Sequence, residues 1–285
     1  MMGHQTELRP AANDVLSIDD VASKARALAR DVPLSQLNAL AGSAVAVQID
    51  DLHAGYGQME ILHGFKLRIG PAQSLCLIGP NGAGKSTVLH SIFGFTDIYR
   101  GSINVRVGDQ LLDVTALSPN EKLRSAGVAY VLQDKSVFAN MTVEENLWMG
   151  GFLMAKMTDA KLAAEQVFDR YPRLAARRKH PAKVLSGGER RLLEISRALM
   201  MNPSVLLVDE PSIGLEPRYI DMVFDILSDL QHKEGKTIIM VEQNAKKGLA
   251  FADIGYVLVA GELAIAGRGR DLLADPDVGR LFLGG

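Results

Sequence analysis

The sequence predicts an α/β fold. Its expected core is a buried, mostly parallel sheet that carries a phosphate-binding loop. An antiparallel β subdomain and a helical subdomain are expected around it. Three observations lead there. An apolar run at residues 75–78 enters GPNGAGKST (79–87), and helix-forming residues continue to 93. VLLVDE (205–210) is a continuous apolar run ended by acids, the pattern of a central parallel strand buried on both faces. TIIMVEQ (237–243) has the same layout.

Taken in order, residues 44–69 alternate as antiparallel strands do (VAVQIDDL, then ILHGFKLRI), around a turn that carries Tyr56. GPNGAGKST then matches Gly-x-x-x-x-Gly-Lys-Ser at Gly79, Gly84, Lys85 and Ser86. Four fixed positions coincide by chance in about one chain in a hundred of this length, so the strand-loop-helix context matters. Glycine lets the backbone wrap closely around phosphates. Backbone N–H groups and the helix dipole favour the anion. The pattern assigns Lys85 to the β- and γ-phosphates and the Ser86 hydroxyl to Mg²⁺. The residues between and beside them, Pro80, Asn81, Gly82, Ala83 and Thr87, complete the cradle.

GSINVRVGDQLLDV (101–114) reads as a hairpin with Gly108-Asp109 near its turn, and AGVAYVLQ (126–133) as a buried strand ending at Gln133. Residues 142–182 carry helical patterns, with Glu144 and Glu145 near a helix start and Leu162, Val167 and Phe168 as apolar anchors. The basic cluster Arg173, Arg177, Arg178 and Lys179 reads as a solvated face. SGGE (186–189) opens another helix, which continues through Leu192, Leu193, Ile195 and Leu199. Its glycines let N–H groups approach a phosphate, and Ser186 adds a hydroxyl. At the end of the 205–210 strand, Asp209 is the expected second Mg²⁺ anchor. Glu210 is the expected general base that polarises the attacking water. IGYVLVAGELAIAG (254–267) reads as a hairpin around Gly261, and a small helix is expected at about 270–282.

Together these motifs resemble the ATP-binding cassette (ABC) ATPases over about residues 45–285, in the family's order: Tyr56 in AGYG, GPNGAGKST, Gln133 in VLQD, LSGGE (185–189), VLLVDE, SIGLEP (212–217) and VEQN (241–244). The resemblance implies a P-loop NTPase (RecA-like) core with an antiparallel β subdomain and an α-helical signature subdomain at about 134–200. It places Tyr56 on adenine. Gln133 would sense the γ-phosphate and metal near the membrane contact, and Gln243 would stand at the switch. Ser186, Gly187, Gly188 and Glu189 would lie over the ATP of a second ATPase subunit, in a head-to-tail dimer with two sandwiched nucleotides.

The phrases GYGQMEILHG, MTVEENLWMGGF, LSGGERR, VEQN and LFLGG look like the second of the two ATPase chains of branched-chain amino acid and amide importers. That implies a heterodimer, two transmembrane permeases and, indirectly, a solute-binding protein. The segment after Gln133, with Phe138, Met141 and Trp148, is where the family meets its membrane subunits. The alternatives are a urea or amide importer ATPase and a soluble cassette ATPase without a transport role. Two residues depart from the family pattern. The switch usually carries His, where this chain has Gln243; the later loop usually reads Leu-Asp-Pro, where this chain has Glu216. Glutamine can donate a hydrogen bond but cannot carry a proton charge. Weak hydrolysis by the isolated chain is therefore expected.

Composition narrows the rest. With 285 residues and 47% apolar content the chain can bury a full core. A net charge of −2 offers no bulk attraction to nucleic acid. The lone cysteine, Cys76, lies in an apolar strand and suits a reducing cytoplasm. No apolar run approaches the ~20 residues of a membrane span, and MMGHQTELRP lacks a signal-peptide layout. The expected place is the cytoplasmic face of the inner membrane, peripherally bound. Residues 1–44 lie outside the resemblance and are expected to be an extension, partly helical or disordered. Ser17 and Asp20 mark a helix start there, with Ile18, Val21, Ala22, Ala25 and Leu28 on one face.

Overall fold

The structure is a computed structural model that describes residues 32–133 and 136–282. The helix expected from Ser17 lies outside the described residues. Helix α1 (Leu34–Ala41) comes first, followed by strands β1 (Val47–Tyr56), β2 (Met59–Ile69) and β3 (Ser74–Ile78). Helix α2 (Lys85–Phe93), the hairpin β4 (Asp97–Val107) and β5 (Gln110–Asp113), helix α3 (Pro119–Ala126) and strand β6 (Val128–Val131) follow. The helical part holds α4 (Val143–Gly150), α5 (Met157–Arg170), the short α6 (Pro172–Ala175) and α7 (Gly187–Leu199). The chain closes with β7 (Val205–Asp209), α8 (Pro217–His232), β8 (Thr237–Val241), α9 (Ala245–Phe251), the hairpin β9 (Ile254–Val259) and β10 (Glu262–Arg268), α10 (Gly269–Ala274) and α11 (Pro276–Phe282).

Two sheets organise the described residues. One is antiparallel, in the order β2-β1-β4-β5. The other runs β10-β9-β3-β8-β7-β6, parallel except for its β10 edge. β3, β7 and β8 are buried at every position, as expected of parallel strands covered by helices on both faces. Their carboxyl ends lie side by side, where open α/β sheets bind ligands.

The antiparallel sheet shares one apolar cluster with one face of the parallel sheet, through Ile49, Leu52, Phe65, Leu77, Leu207 and Tyr256. The opposite face packs Ile78, Val208, Met240 and Ile238 against Leu227, Leu230 and Leu249 from α8 and α9. A third cluster, with Val143, Leu147, Phe168, Leu174 and Leu193, holds the helical part together.

Residues 32–44, the described part of the expected N-terminal extension, are packed on the domain. Val32 and Leu37 enter the first core cluster. Gln36 Nε2 donates to the Ala266 carbonyl at 2.7 Å, and Gln73 Nε2 to the Leu40 carbonyl at 3.0 Å.

Several expectations need correction. Leu162 is 64% exposed and anchors nothing. The inward stripe of α5 is Ala160, Ala164 and Phe168, four residues apart, and Leu162 falls between its rows. The strand expected to end at Gln133 ends at Val131, and the one expected to reach Gln243 ends at Val241. Both glutamines therefore sit on loops. The final helix is two, divided at Asp275, because Pro276 cannot continue a helix. The basic cluster is also more than a solvated face. Arg178 bridges Glu144 on α4 at 2.7 Å and Glu165 on α5 at 2.6 Å, and Lys179 joins Glu144.

Candidate functional site

The phosphate loop turns from β3 into α2 through left-handed glycines, with Gly82 and Gly84 at φ 78° and 95°. Gly79 admits no side chain, since a Cβ there would meet the Leu258 carbonyl oxygen at 2.2 Å. The loop is also tied to the β9–β10 turn, where Gly261 N–H donates to the Ala83 carbonyl at 3.0 Å. The Lys85 ammonium folds back onto the loop and donates to the Gly79 and Pro80 carbonyls, both at 2.9 Å. Burial pulls its pKa down from the ordinary lysine value, and Glu210 and Asp209 oppose that.

The end of β7 brings the two acids to this loop. The Ser86 hydroxyl donates to Asp209 Oδ1 at 3.2 Å, and the Tyr130 hydroxyl donates to Asp209 Oδ2 at 2.9 Å. Burial and the Asp209 carboxylate push the Tyr130 phenol far above its ordinary range, so it remains a donor. Asp209 is 5% exposed and faces oxygen donors. An oxygen-only set of one carboxylate and one hydroxyl beside a phosphate loop fits Mg²⁺, which prefers such ligands and keeps several waters.

Glu210 stands at φ 43°, a backbone region that costs an ordinary residue free energy. Its N–H donates to the Val241 carbonyl at 2.9 Å, which holds it between β7 and β8. Gln133 Nε2 donates to Glu210 Oε2 at 2.8 Å. Burial first, then the Asp209 charge, push the Glu210 carboxyl above the ordinary glutamate value. That shift suits a group that must take up a proton near neutral pH.

A cavity of about 270 Å³ joins Gly79, Pro80, Asn81 and Lys85 to Glu210, Glu242 and Gln243. Glu242 is 2% exposed. Its Oε1 accepts from the Ser212 hydroxyl at 2.6 Å and from Asn244 N–H at 2.9 Å, so it braces the loops after β7 and β8 together. Sequence reasoning missed Glu242 and Tyr130, although each lies within two or three residues of a motif glutamine. Tyr56, at the end of β1, is 43% exposed. Its hydroxyl lies 2.5 Å from His90 Nδ1 on α2, and the two rings meet edge to face.

The LSGGE segment builds a second site. Ser186 caps α7: its hydroxyl accepts from Glu189 N–H at 3.3 Å, and Glu189 Oε2 accepts from Ser186 N–H at 2.9 Å. This cap engages the Glu189 carboxylate, whose pKa it lowers chiefly through the backbone bond from Ser186. Ser186 and Glu189 line a cavity of about 780 Å³ with Arg173, Arg218 and Tyr219. Lys85 and Glu210 line a different one. Within one chain, Ser186 and Glu189 therefore face a different cavity from the phosphate loop.

Gly188 fits this site only because it lacks a side chain, since a Cβ would lie 2.2 Å from Tyr219 Cδ1. Gly188→Ala should displace the Tyr219 ring and cost about 1–3 kcal/mol through overpacking. Thermal melts would register that loss, and adding Tyr219→Ala should restore much of it. An unshifted melt in Gly188→Ala would contradict the contact.

Buried Arg191 of α7 connects the two sites. Its Nη1 donates to the Leu132 carbonyl at 2.7 Å and to Glu194 Oε2 at 2.9 Å, and its Nη2 donates to the Asp209 carbonyl at 3.2 Å. One guanidinium thus holds the LSGGE helix, the approach to Gln133 and the end of β7. It went unnoticed in the sequence as the second arginine of LSGGERR.

Comparisons with known proteins agree with this layout. A family profile described as ABC transporter matches residues 62–213. The chain is 38% identical over 239 residues to the high-affinity branched-chain amino acid transport ATP-binding protein BraG of Pseudomonas aeruginosa, covering 84% of this chain and all of that protein. It is 36% identical over 233 residues to a probable branched-chain amino acid transport ATP-binding protein LivF of Archaeoglobus fulgidus, covering 82% and 96%. Its fold superimposes on the crystal structure of an ATP-binding cassette of an ABC transporter in its ADP conformation. The TM-score is 0.72 at 27% identity, covering 84% of this chain and 98% of that one.

Proposed function

The chain belongs to the ABC transporter family, and we propose that its ATP hydrolysis drives import of branched-chain or other hydrophobic amino acids. It is a nucleotide-binding ATPase subunit of that family. The single observation that carries the reading is the division of labour between its two cavities. One holds Lys85, Glu210 and Gln243, and the other holds Ser186 and Glu189. A complete site then needs two chains, each lending its LSGGE helix to the other's nucleotide. The substrate class rests on the similarity to BraG and LivF, which covers nearly the full length of both.

In this reading Tyr56 stacks on adenine, and the backbone of residues 79–87 cradles the phosphates. Lys85 exchanges the Gly79 and Pro80 carbonyls for phosphate oxygens. Ser86 and Asp209 would hold Mg²⁺, which when bound supplies charge neutralisation of the phosphates. Glu210 accepts a proton from the attacking water. Gln133 holds the Glu210 carboxylate in place, and Gln243 donates to the γ-phosphate. The helix N-terminus at Ser186, Gly187 and Gly188 of one chain faces the phosphates of the other. The Glu189 carboxylate caps its own helix instead.

No helix among the described residues is long and apolar enough to cross a membrane. Separate permeases would supply the pathway, and the chain would sit on their cytoplasmic side. Exposed Phe138, Met149 and Phe152 offer apolar surface for that contact.

The test is a pull-down of tagged chain from detergent-solubilised native membranes. Two permeases and a second, different cassette ATPase should accompany it. ATP turnover of the isolated chain should be low and should rise in the recovered complex. Recovery with soluble partners alone would overturn the importer reading. Full turnover by the isolated chain would overturn the dependence on a companion ATPase.

A further inference from the structure

A cluster of ligating side chains lies on the antiparallel sheet, outside the nucleotide machinery. Between the pairs Leu52↔Phe65 and Ala54↔Leu62, one β1 residue opposes two on β2. This bulge turns His53 and His63 toward the same carboxylate. Glu60 Oε1 lies 2.6 Å from His53 Nδ1 and 3.1 Å from His63 Nδ1. One ligand atom from each of the three residues lies within 4.8 Å of the others.

The second imidazole nitrogen of His53 faces a carboxylate just beyond hydrogen-bond reach. Nε2 lies 3.6 Å from Asp51 Oδ1, and Arg100 holds the other Asp51 oxygen at 2.7 Å. An ion that takes His53 Nδ1 would leave the ring proton on Nε2, the nitrogen that faces the Asp51 carboxylate. The backbone of the cluster is fixed as well, because His63 N–H donates to the Gly261 carbonyl at 3.1 Å.

We propose that His53, Glu60 and His63 form a binding site for a divalent transition metal, with Asp51 as the outer carboxylate that orients His53. Two imidazoles and one carboxylate suit zinc, nickel or copper(II) rather than magnesium. Three protein ligands leave a fourth, open position for water. Tetrahedral zinc holds its ligand atoms about 3.4 Å apart. The present spacing needs only small rotations of side chains that are 26–43% exposed. The ion would take the place of the protons now shared between the imidazoles and Glu60 Oε1 and would join β1 to β2.

The test is calorimetric titration of zinc chloride into the purified, tag-free, nucleotide-free full chain after chelator treatment. One equivalent should bind, and zinc should raise the melting temperature. His63→Ala and Glu60→Gln should each weaken binding at least tenfold. Asp51→Asn, in which asparagine tolerates the φ of 45° at that position, should weaken it about 10-fold or more and leave the metal-free melt unchanged. This variant guards against misfolding of the ligand variants. Absence of stoichiometric zinc uptake, or affinity like wild type in His63→Ala, Glu60→Gln and Asp51→Asn, would overturn the proposal.

Discussion

Glu210→Gln should reduce ATP turnover of the assembled transporter ATPase by about 10²–10⁴-fold, the usual contribution of a positioned general base. Nucleotide binding should persist, because Lys85, Ser86 and Asp209 are untouched. Glutamine keeps the shape and the left-handed backbone position but cannot accept the proton of water. The pH profile gives an independent readout. Burial and Asp209 raise the Glu210 pKa in the folded chain, and a base works only when deprotonated. Wild-type turnover should therefore fall on acidification through a pH above the ordinary glutamate value of 4.5. The residual activity of Glu210→Gln should lack that inflection. Turnover of Glu210→Gln within tenfold of wild type would remove Glu210 from the role of base.

The second large effect concerns Arg191. Its side chain is buried and pairs with Glu194, which is 8% exposed. Arg191→Ala removes the cation that is hydrogen-bonded to that buried carboxylate, a loss of about 3–5 kcal/mol. For a domain of this size the melting temperature should drop on the order of 6–20 °C. Turnover at permissive temperature should also fall, because the bonds to the Leu132 and Asp209 carbonyls position the approach to Gln133 and the Asp209 end of β7. The double variant Arg191→Ala/Glu194→Ala should recover part of the stability but not the turnover, since only the stranded charge is removed. A melt within about 2 °C of wild type in Arg191→Ala would show that the guanidinium is not the strut its contacts imply.

These two residues mark how far the sequence could be read. The position of Glu210 was legible because its cue is local. An apolar strand delivers it, and Asp209 precedes it on the same β7 end. Arg191 was not legible, because two of its three partners, the carbonyls of residues 132 and 209, lie far from it in the chain. Tyr130 and Glu242 were missed for the same reason. Their roles come from contacts with Asp209 and Ser212, which are distant in the chain. Leu162 was misplaced because the apolar face of α5 is chosen by what packs against it. The cluster at His53, Glu60 and His63 depends on a bulge, and one residue of register decides which side chains meet.

The sequence by itself determined the phosphate loop, the three buried parallel strands and the two β-hairpins. Those features depend on apolar runs, alternation and glycine spacing, which act over a few neighbouring residues. Only the tertiary structure decided that α1 is part of the domain, that Gln133 is bonded to Glu210, and that Lys85 and Ser186 line separate cavities. Each of those depends on strand order and packing between segments far apart in the chain, and no local pattern carries that information.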